Sequence, residues 1–377
     1  MKKIQTILSE LEDSSNFRQI PRENAPDKII DLSSNDYLGI ASDFNFREEF
    51  YTSLSPADFL PTSSASRLLA SRQEEYRALE DILDHAYSRP ALLFNSGYHA
   101  NTGIIKALAD KSTLFVADKL VHASIIDGLN LAASAGAKFI RFRHNDWDHL
   151  DSIVTKQGSL FSRVVIVAES VYSMDGDMAS LNRLVAAKNL HQNALIYLDE
   201  AHGIGVLGPK GLGLAAGHPQ YKEVDIIVGT FGKALASMGA FAITSPILRD
   251  FLINTARPLI FSTAIPPVTA RWSLATLKYT MGADNKRQHL NALAKELGTI
   301  LGSDASTPYP THIQPLILGD AARTLALSAK LLQNGFRVLP IRTPTVPKGT
   351  ERLRFSLSAS LNIEDLAKLK SIIHAGS

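Results

Sequence analysis

Short apolar runs, rich in β-branched residues and bounded by polar residues or glycine, recur through the middle of the chain. They lie at residues 91–95, 113–117, 138–142, 163–168, 194–198, 226–230 and 239–243. Runs of this length and character predict strands buried on both faces. Between most of them the pattern changes to amphipathic helical spacing, as at residues 180–189. Strand and helix in alternation predict an α/β domain built on a mainly parallel sheet. Residues 266–302 read as one long helix. A different texture follows: strand at 313–318, helix at 321–334, strand at 352–358 and a closing helix at 363–373. The expected organisation is an N-terminal helix and extension at 1–44, a large α/β domain at 45–282 and a small α+β domain at 283–377, with the boundary near 281–285.

Composition narrows the class. The 377 residues are 45% hydrophobic and 20% charged, ordinary values for a globular chain and enough for two cores. Formal net charge is +2 and no basic run interleaves with aromatics, so nucleic acid is not an expected partner. The absence of cysteine excludes disulfides, Cys-ligated zinc and iron–sulfur clusters. HExxH is also missing, and no metal site is expected. The opening MKKIQTILSELEDSSNF reads as an amphipathic helix, not a signal peptide, and no stretch reaches the apolar length of a membrane span. A cytoplasmic location is the expectation.

In open parallel sheets ligands bind beyond the carboxyl ends of the strands. After 194–198 comes Asp199, an acid that can pair with a protonated ring nitrogen or simply cap the next helix. After 226–230 comes Lys233, at a tight turn and followed by a small apolar run. It can condense with an aldehyde, although most lysines are solvated surface groups. After strand 91–95, the segment NSGYHAN opens a helix whose free N–H groups suit a phosphate. His122, after strand 113–117, can stack on an aromatic cofactor or serve structure alone. Walker and GxGxxG patterns are absent from the strand–helix turns, which makes a dinucleotide-dependent oxidoreductase a poor fit.

Together these segments resemble the α-oxoamine synthase family of fold-type I pyridoxal-phosphate (PLP) enzymes. The likeness is carried by SSNDYLG at 33–39, LFNSGYHAN at 93–101, DKLVHASIIDG at 118–128 and ESVYSMDGD at 169–177. It continues through LDEAHGIGVLG at 198–208, GTFGKALASMGA at 229–240, FSTAIPP at 261–267, IQPLILGD at 313–320 and RTPTVPKGTERLRFSLSA at 342–359. The resemblance implies a fold-type I transferase with a large mainly parallel sheet domain and a smaller α+β domain. It implies that Lys233 carries PLP as a Schiff base and later acts as a base. Asp199 would pair with the ring nitrogen, His202 would bond the phenolic oxygen and His122 would stack on the ring. Ser96, Gly97, Tyr98 and Thr230 would surround the phosphate, and Ser262 and Thr263 would reach the phosphate of a second subunit in a homodimer. Asn35, Ser173 and Arg354 match positions near the substrate, Arg354 holding a carboxylate, and Arg18 corresponds to an N-terminal arginine that meets the acyl group.

The implied reaction is decarboxylative condensation of an amino acid with an acyl thioester, on coenzyme A or an acyl carrier protein. Gly203, FSTAIPP and IQPLILGD lean toward the biotin-pathway branch, which joins L-alanine to a pimeloyl thioester. Glycine C-acetyltransferase, 5-aminolevulinate synthase and serine palmitoyltransferase activities are the alternatives within the family, and a catalytically silent homologue is the alternative outside it. One segment departs from the pattern: TSSASR at 62–67 stands where members carry a glycine-rich run, and Tyr76 where histidine is common.

Overall fold

The computed structural model describes residues 1–18, 20, 29–302 and 311–374. The chain divides into two compact units. One is Leu38–Tyr172 with Met178–Arg287; the other is Met1–Tyr37 with Ser173–Asp177 and Gln288–Ser377. Met1–Tyr37 groups with the C-terminal residues in one unit. The backbone shows why: β1 (Ile30–Asp31) pairs in parallel with Phe336–Arg337, and the Ser356 N–H donates to Leu32 O at 2.8 Å.

The large unit holds seven strands: β2 (Ala91–Phe94), β3 (Thr113–Asp118), β4 (Lys138–Phe142), β5 (Arg163–Glu169), β6 (Ala194–Asp199), β7 (Ile226–Thr230) and β8 (Ala240–Ile243). They form one sheet in the order β2-β8-β7-β6-β5-β3-β4, with β4, β3, β5, β6 and β7 parallel and β8 antiparallel to both of its neighbours. Val164, Val165, Ile166, Val167 and Ala168 of β5 are fully buried, as an apolar run in a sheet covered on both faces should be. Parallel direction brings the carboxyl ends of β3, β5, β6 and β7 to one edge, so Asp118, Glu169, Asp199 and Thr230 end their strands on the same side. The β5–β6 register sets Glu169 directly beside Asp199.

The smaller unit contains β9 (Ile313–Ile317), β10 (Phe336–Arg337), β11 (Leu339–Ile341) and β12 (Arg352–Ser356). β12 lies between β11 and β9, antiparallel to each. The helix Ala321–Gln333 begins on Asp320, whose carboxylate accepts from the Arg323 N–H.

The long helix expected at 266–302 is two helices, Pro267–Met281 and Asp284–Leu301. Helical periodicity continues across the break, but the hydrogen bonding does not. Buried Arg287 donates to the Thr280 carbonyl at 2.6 Å, taking an acceptor at the end of the first helix, and pairs with Asp284 in the first turn of the second at 2.5 Å. Replacing Arg287 by Ala removes the donor to the Gly205 carbonyl and leaves the Thr280 carbonyl with the Ala283 N–H alone. The expected outcome is a loss of about 2 kcal/mol in urea unfolding; a change below about 0.5 kcal/mol contradicts this account of the break.

Candidate active site

A cavity of about 170 Å³ opens at the carboxyl edge of the large sheet, lined among others by Gly97, Asn101, His122, Asp199, His202 and Lys233. Tyr98 and Thr230 also border it. Seven residues expected from the sequence thus meet in one place, because the parallel strands end there.

Asp199 is buried and fixed by two neutral donors, Asn101 Nδ2 at 2.7 Å and the Ala201 N–H at 2.8 Å. A carboxylate so held is oriented toward the cavity it lines and favours a cation within it. Asn101 is the hub of the surrounding network. Its Oδ1 accepts from the Tyr197 hydroxyl at 2.6 Å and its Nδ2 also donates to Ser124 Oγ at 2.9 Å. Ser124 Oγ in turn lies 2.7 Å from His122 Nδ1, which accepts from the Ser124 N–H at 3.2 Å. His122 Nδ1 is therefore an acceptor, and neutral His122 carries its proton on Nε2. Burial lowers the His122 pKa from the usual histidine value, with the Asp199 charge opposing and Lys233 assisting. The imidazole is held as a flat, neutral ring.

Glu169 completes this wall. Its Oε1 accepts from the His122 N–H, and its carboxyl is buried beside Asp199. Burial first, and the neighbouring Asp199 charge second, push its pKa well above the ordinary glutamate range. The two adjacent buried acids are thus held differently, Asp199 by two donors and Glu169 with its charged form disfavoured.

Lys233 Nζ stands 2.8 Å from His202 Nε2. An ammonium only donates, which makes Nε2 the acceptor when Lys233 is charged. The helix Gly97–Ala107 points its N-terminus at the same cavity, with Ser96 Oγ accepting from the His99 N–H as its cap. A side chain built at Gly97 would meet nothing closer than Thr230 Cβ at 4.0 Å, so there is room beside the start of the helix, where the first-turn N–H groups of a helix lack intrahelical partners. The Thr230 hydroxyl lies across from them, donating to Gly239 O and accepting from the Gly232 N–H, each at 3.1 Å.

Other expected residues lie elsewhere. Ser262 is half-buried and Thr263 exposed; Thr263 bridges Ser66, and neither lines the Lys233 cavity. In the smaller unit Arg354, 3% exposed, donates through Nε to Ser173 O at 2.5 Å and through both terminal nitrogens to Asn35 Oδ1 at 3.3 Å. Tyr37, whose hydroxyl donates to the same Asn35 oxygen at 3.0 Å, has its pKa pushed up to about 12 by burial against the pull of Arg354. Arg18 is exposed and donates to Thr345 Oγ1 at 2.9 Å. In TSSASR, Ser64 takes a φ of +50°, a conformation that favours glycine, steadied by its N–H on Thr62 Oγ1 at 2.9 Å. Tyr76 is fully buried and donates to Ile265 O at 2.6 Å.

Gly203 has a packing reason in this chain. A Cβ there would stand 2.2 Å from Glu200 Oε2 and 2.6 Å from Ser170 Oγ. Glu200 itself is buried, its carboxylate accepting from the Ala215 and Leu214 N–H groups at 2.7 and 3.0 Å. The glycine leaves room for that carboxylate.

The profile described as aminotransferase class I and II matches residues 27–373. The chain is 44% identical over 354 residues to a Chlorobaculum parvum protein named 8-amino-7-oxononanoate synthase, covering 92% of this chain and 89% of that one. Among solved structures it is similar to an S. paucimobilis serine palmitoyltransferase with a bound PLP–myriocin aldimine, at TM-score 0.88 and 27% identity, covering 99% of this chain and 97% of the other. It is also similar to 8-amino-7-oxononanoate synthase from Francisella tularensis, at TM-score 0.77 and 28% identity, covering 93% and 98%.

The Glu169 shift has a measurable sign. A carboxyl whose pKa is raised in the folded state contributes most stability below its unfolded value, about 4.3, and loses that contribution as pH rises through the folded value. Glu169→Gln keeps the acceptor for His122 but cannot ionise. Urea unfolding of both proteins from about pH 4 to about pH 8 should show wild type losing ground steadily to the variant. A pH-independent difference contradicts a raised Glu169.

Proposed function

Because the chain belongs to the aminotransferase class I and II family, we propose that it is a PLP-dependent acyltransferase that condenses L-alanine with a pimeloyl thioester. The products are 8-amino-7-oxononanoate, carbon dioxide and free thiol, a step of biotin biosynthesis. The fold is that of the fold-type I PLP transferases. The observation that supports the reading is the convergence on one cavity of Lys233, the buried carboxylate of Asp199 and the start of the helix Gly97–Ala107.

These residues fit the cofactor's chemistry. Lys233 Nζ would hold it covalently, Asp199 would pair with its ring nitrogen, and His202 would bond its phenolic oxygen. His122, neutral and flat, would lie against the ring. Ser96, Gly97, Tyr98 and Thr230 would take the phosphate, joined by Ser262 and Thr263 of a second copy in a cytoplasmic homodimer. When bound, PLP supplies an electron sink for the negative charge that develops at the amino acid Cα.

The chain's own groups supply the rest. With the amino acid in place, Lys233 would take the Cα proton, and Asp199 would favour a protonated ring nitrogen in the bound cofactor. The new carbon–carbon bond would join Cα to the thioester carbonyl carbon as the carbon–sulfur bond breaks and the thiol leaves; the bond from Cα to its carboxylate would then break to release carbon dioxide, and Lys233 would return the proton to Cα. Arg354 is suited to the amino acid's carboxylate: it is buried and donates to neutral oxygens of Ser173 and Asn35. Arg18 would meet the acyl group, on either coenzyme A or a carrier protein.

Turnover of the four pairings of alanine or serine with pimeloyl-CoA or palmitoyl-CoA tests the substrate claim. Alanine with pimeloyl-CoA is expected to give the highest kcat/KM, and a higher value for serine with palmitoyl-CoA overturns it. Arg354→Lys should raise the KM for alanine by about tenfold, equal to about 1.4 kcal/mol of lost bidentate pairing. An unchanged KM removes Arg354 from the substrate site.

A further inference from the structure

Lys233 stands in a loop whose shape is fixed from outside. Between β7 and β8 the loop closes on itself through the Phe231 N–H to Gly239 O at 3.0 Å, the Ser237 N–H to Phe231 O at 2.8 Å and the Ala236 N–H to Lys233 O at 2.8 Å. Closing this tightly puts Ala236 at a φ of +47°, in the left-handed region where an L residue's Cβ crowds the backbone. The sequence GKALASMG offers no glycine at that position. A strained residue of this kind keeps its conformation only where its surroundings hold it.

Two consecutive side chains do so. Trp272 Nε1 donates to the Ala236 carbonyl at 2.8 Å, and Ser273 Oγ shares a hydrogen bond with Ser237 Oγ at 2.8 Å. Both project from the helix Pro267–Met281, and Ser273 is fully buried. The indole is itself clamped. Phe50 packs edge-on at 4.8 Å between ring centres and Phe46 at 5.2 Å, and Phe46 lies 4.7 Å from Tyr279. The Tyr279 hydroxyl donates to Asp43 Oδ2 at 3.1 Å, the cap of the helix Phe44–Ser53 that carries Phe46 and Phe50. Adjacent loop residues are thus tied to adjacent helix residues resting on an aromatic platform.

We propose that Trp272 and Ser273 are positioning residues for Lys233, holding the Ala236 carbonyl and the Ser237 hydroxyl so that Nζ stays in place 2.8 Å from His202 Nε2. The inference rests on the reading of Lys233 as the residue that holds PLP. Without the indole, the strained Ala236 relaxes toward negative φ, and its N–H leaves the Lys233 carbonyl. The ammonium then samples positions away from the cavity.

The test is PLP retention by purified holoenzyme during dialysis, followed by the cofactor's absorbance, together with the melting temperature of the cofactor-free protein. Trp272→Phe and Ser273→Ala should each lose PLP about fivefold faster than wild type, or more. Adding Ala236→Gly to Trp272→Phe should return the rate to within about twofold of Ala236→Gly alone, because glycine adopts positive φ without strain. A purely structural role lowers the melting temperature without speeding PLP loss, or leaves a defect that Ala236→Gly does not repair; either result overturns the proposal. Should Trp272→Phe not fold, Ser273→Ala decides alone, and unaltered retention overturns the proposal. Wild-type protein that takes up no PLP overturns the functional reading and this inference with it. Normal wild-type uptake with unaltered variants overturns this inference only.

Discussion

The site depends on one buried carboxylate. Asp199 ends β6 in a buried position and, among the described residues, accepts from the uncharged Asn101 amide and the backbone of Ala201. Removing an ionised carboxylate from water is costly unless a positive partner or a full set of donors compensates. The surroundings serve that requirement. Asn101 is itself pinned by Tyr197, Glu169 next door is pushed toward its neutral form, and His122 is kept uncharged by burial. Their combined effect is a cavity with one firmly oriented carboxyl group on its wall and a lysine in its lining.

That arrangement explains why the sheet is built as it is. Parallel strands deliver their carboxyl ends to one edge, and the β5–β6 register sets the two acids side by side. The antiparallel β8 then turns the chain back immediately after β7, which leaves Lys233 in a short loop and not in a long crossover. A short loop has few internal bonds with which to define its shape. The contacts from Trp272 and Ser273 supply the missing constraint, and an L residue in the left-handed region marks where it acts.

Much of this was legible in the sequence, for identifiable reasons. Buried strands such as β5 announce themselves because both faces must be apolar, and the strand-end rule then picks out Asp199 and Lys233. Glu169 and Asn101 sit in recognised segments yet drew no role. Glu169 also ends a strand, so the same rule reaches it, but its meaning comes from the register with Asp199, which no local pattern encodes. Asn101 lies a turn into its helix and acts through side-chain geometry alone. The two short strands β10 and β11 leave too few residues for periodicity. The break at Gly282 is hidden because Arg287 stabilises it through contacts with Thr280 and Gly205. Gly203 also has a packing reason that no local pattern encodes, since a Cβ there would meet Glu200 and Ser170.

The central claim is that Lys233 is the amine that holds PLP. Borohydride reduction of the purified holoenzyme followed by peptide mass mapping addresses it directly. The account predicts a reduced pyridoxyl adduct on the peptide containing Lys233 and on no other lysine. An adduct on a different lysine, or none on a protein that retains PLP, contradicts it.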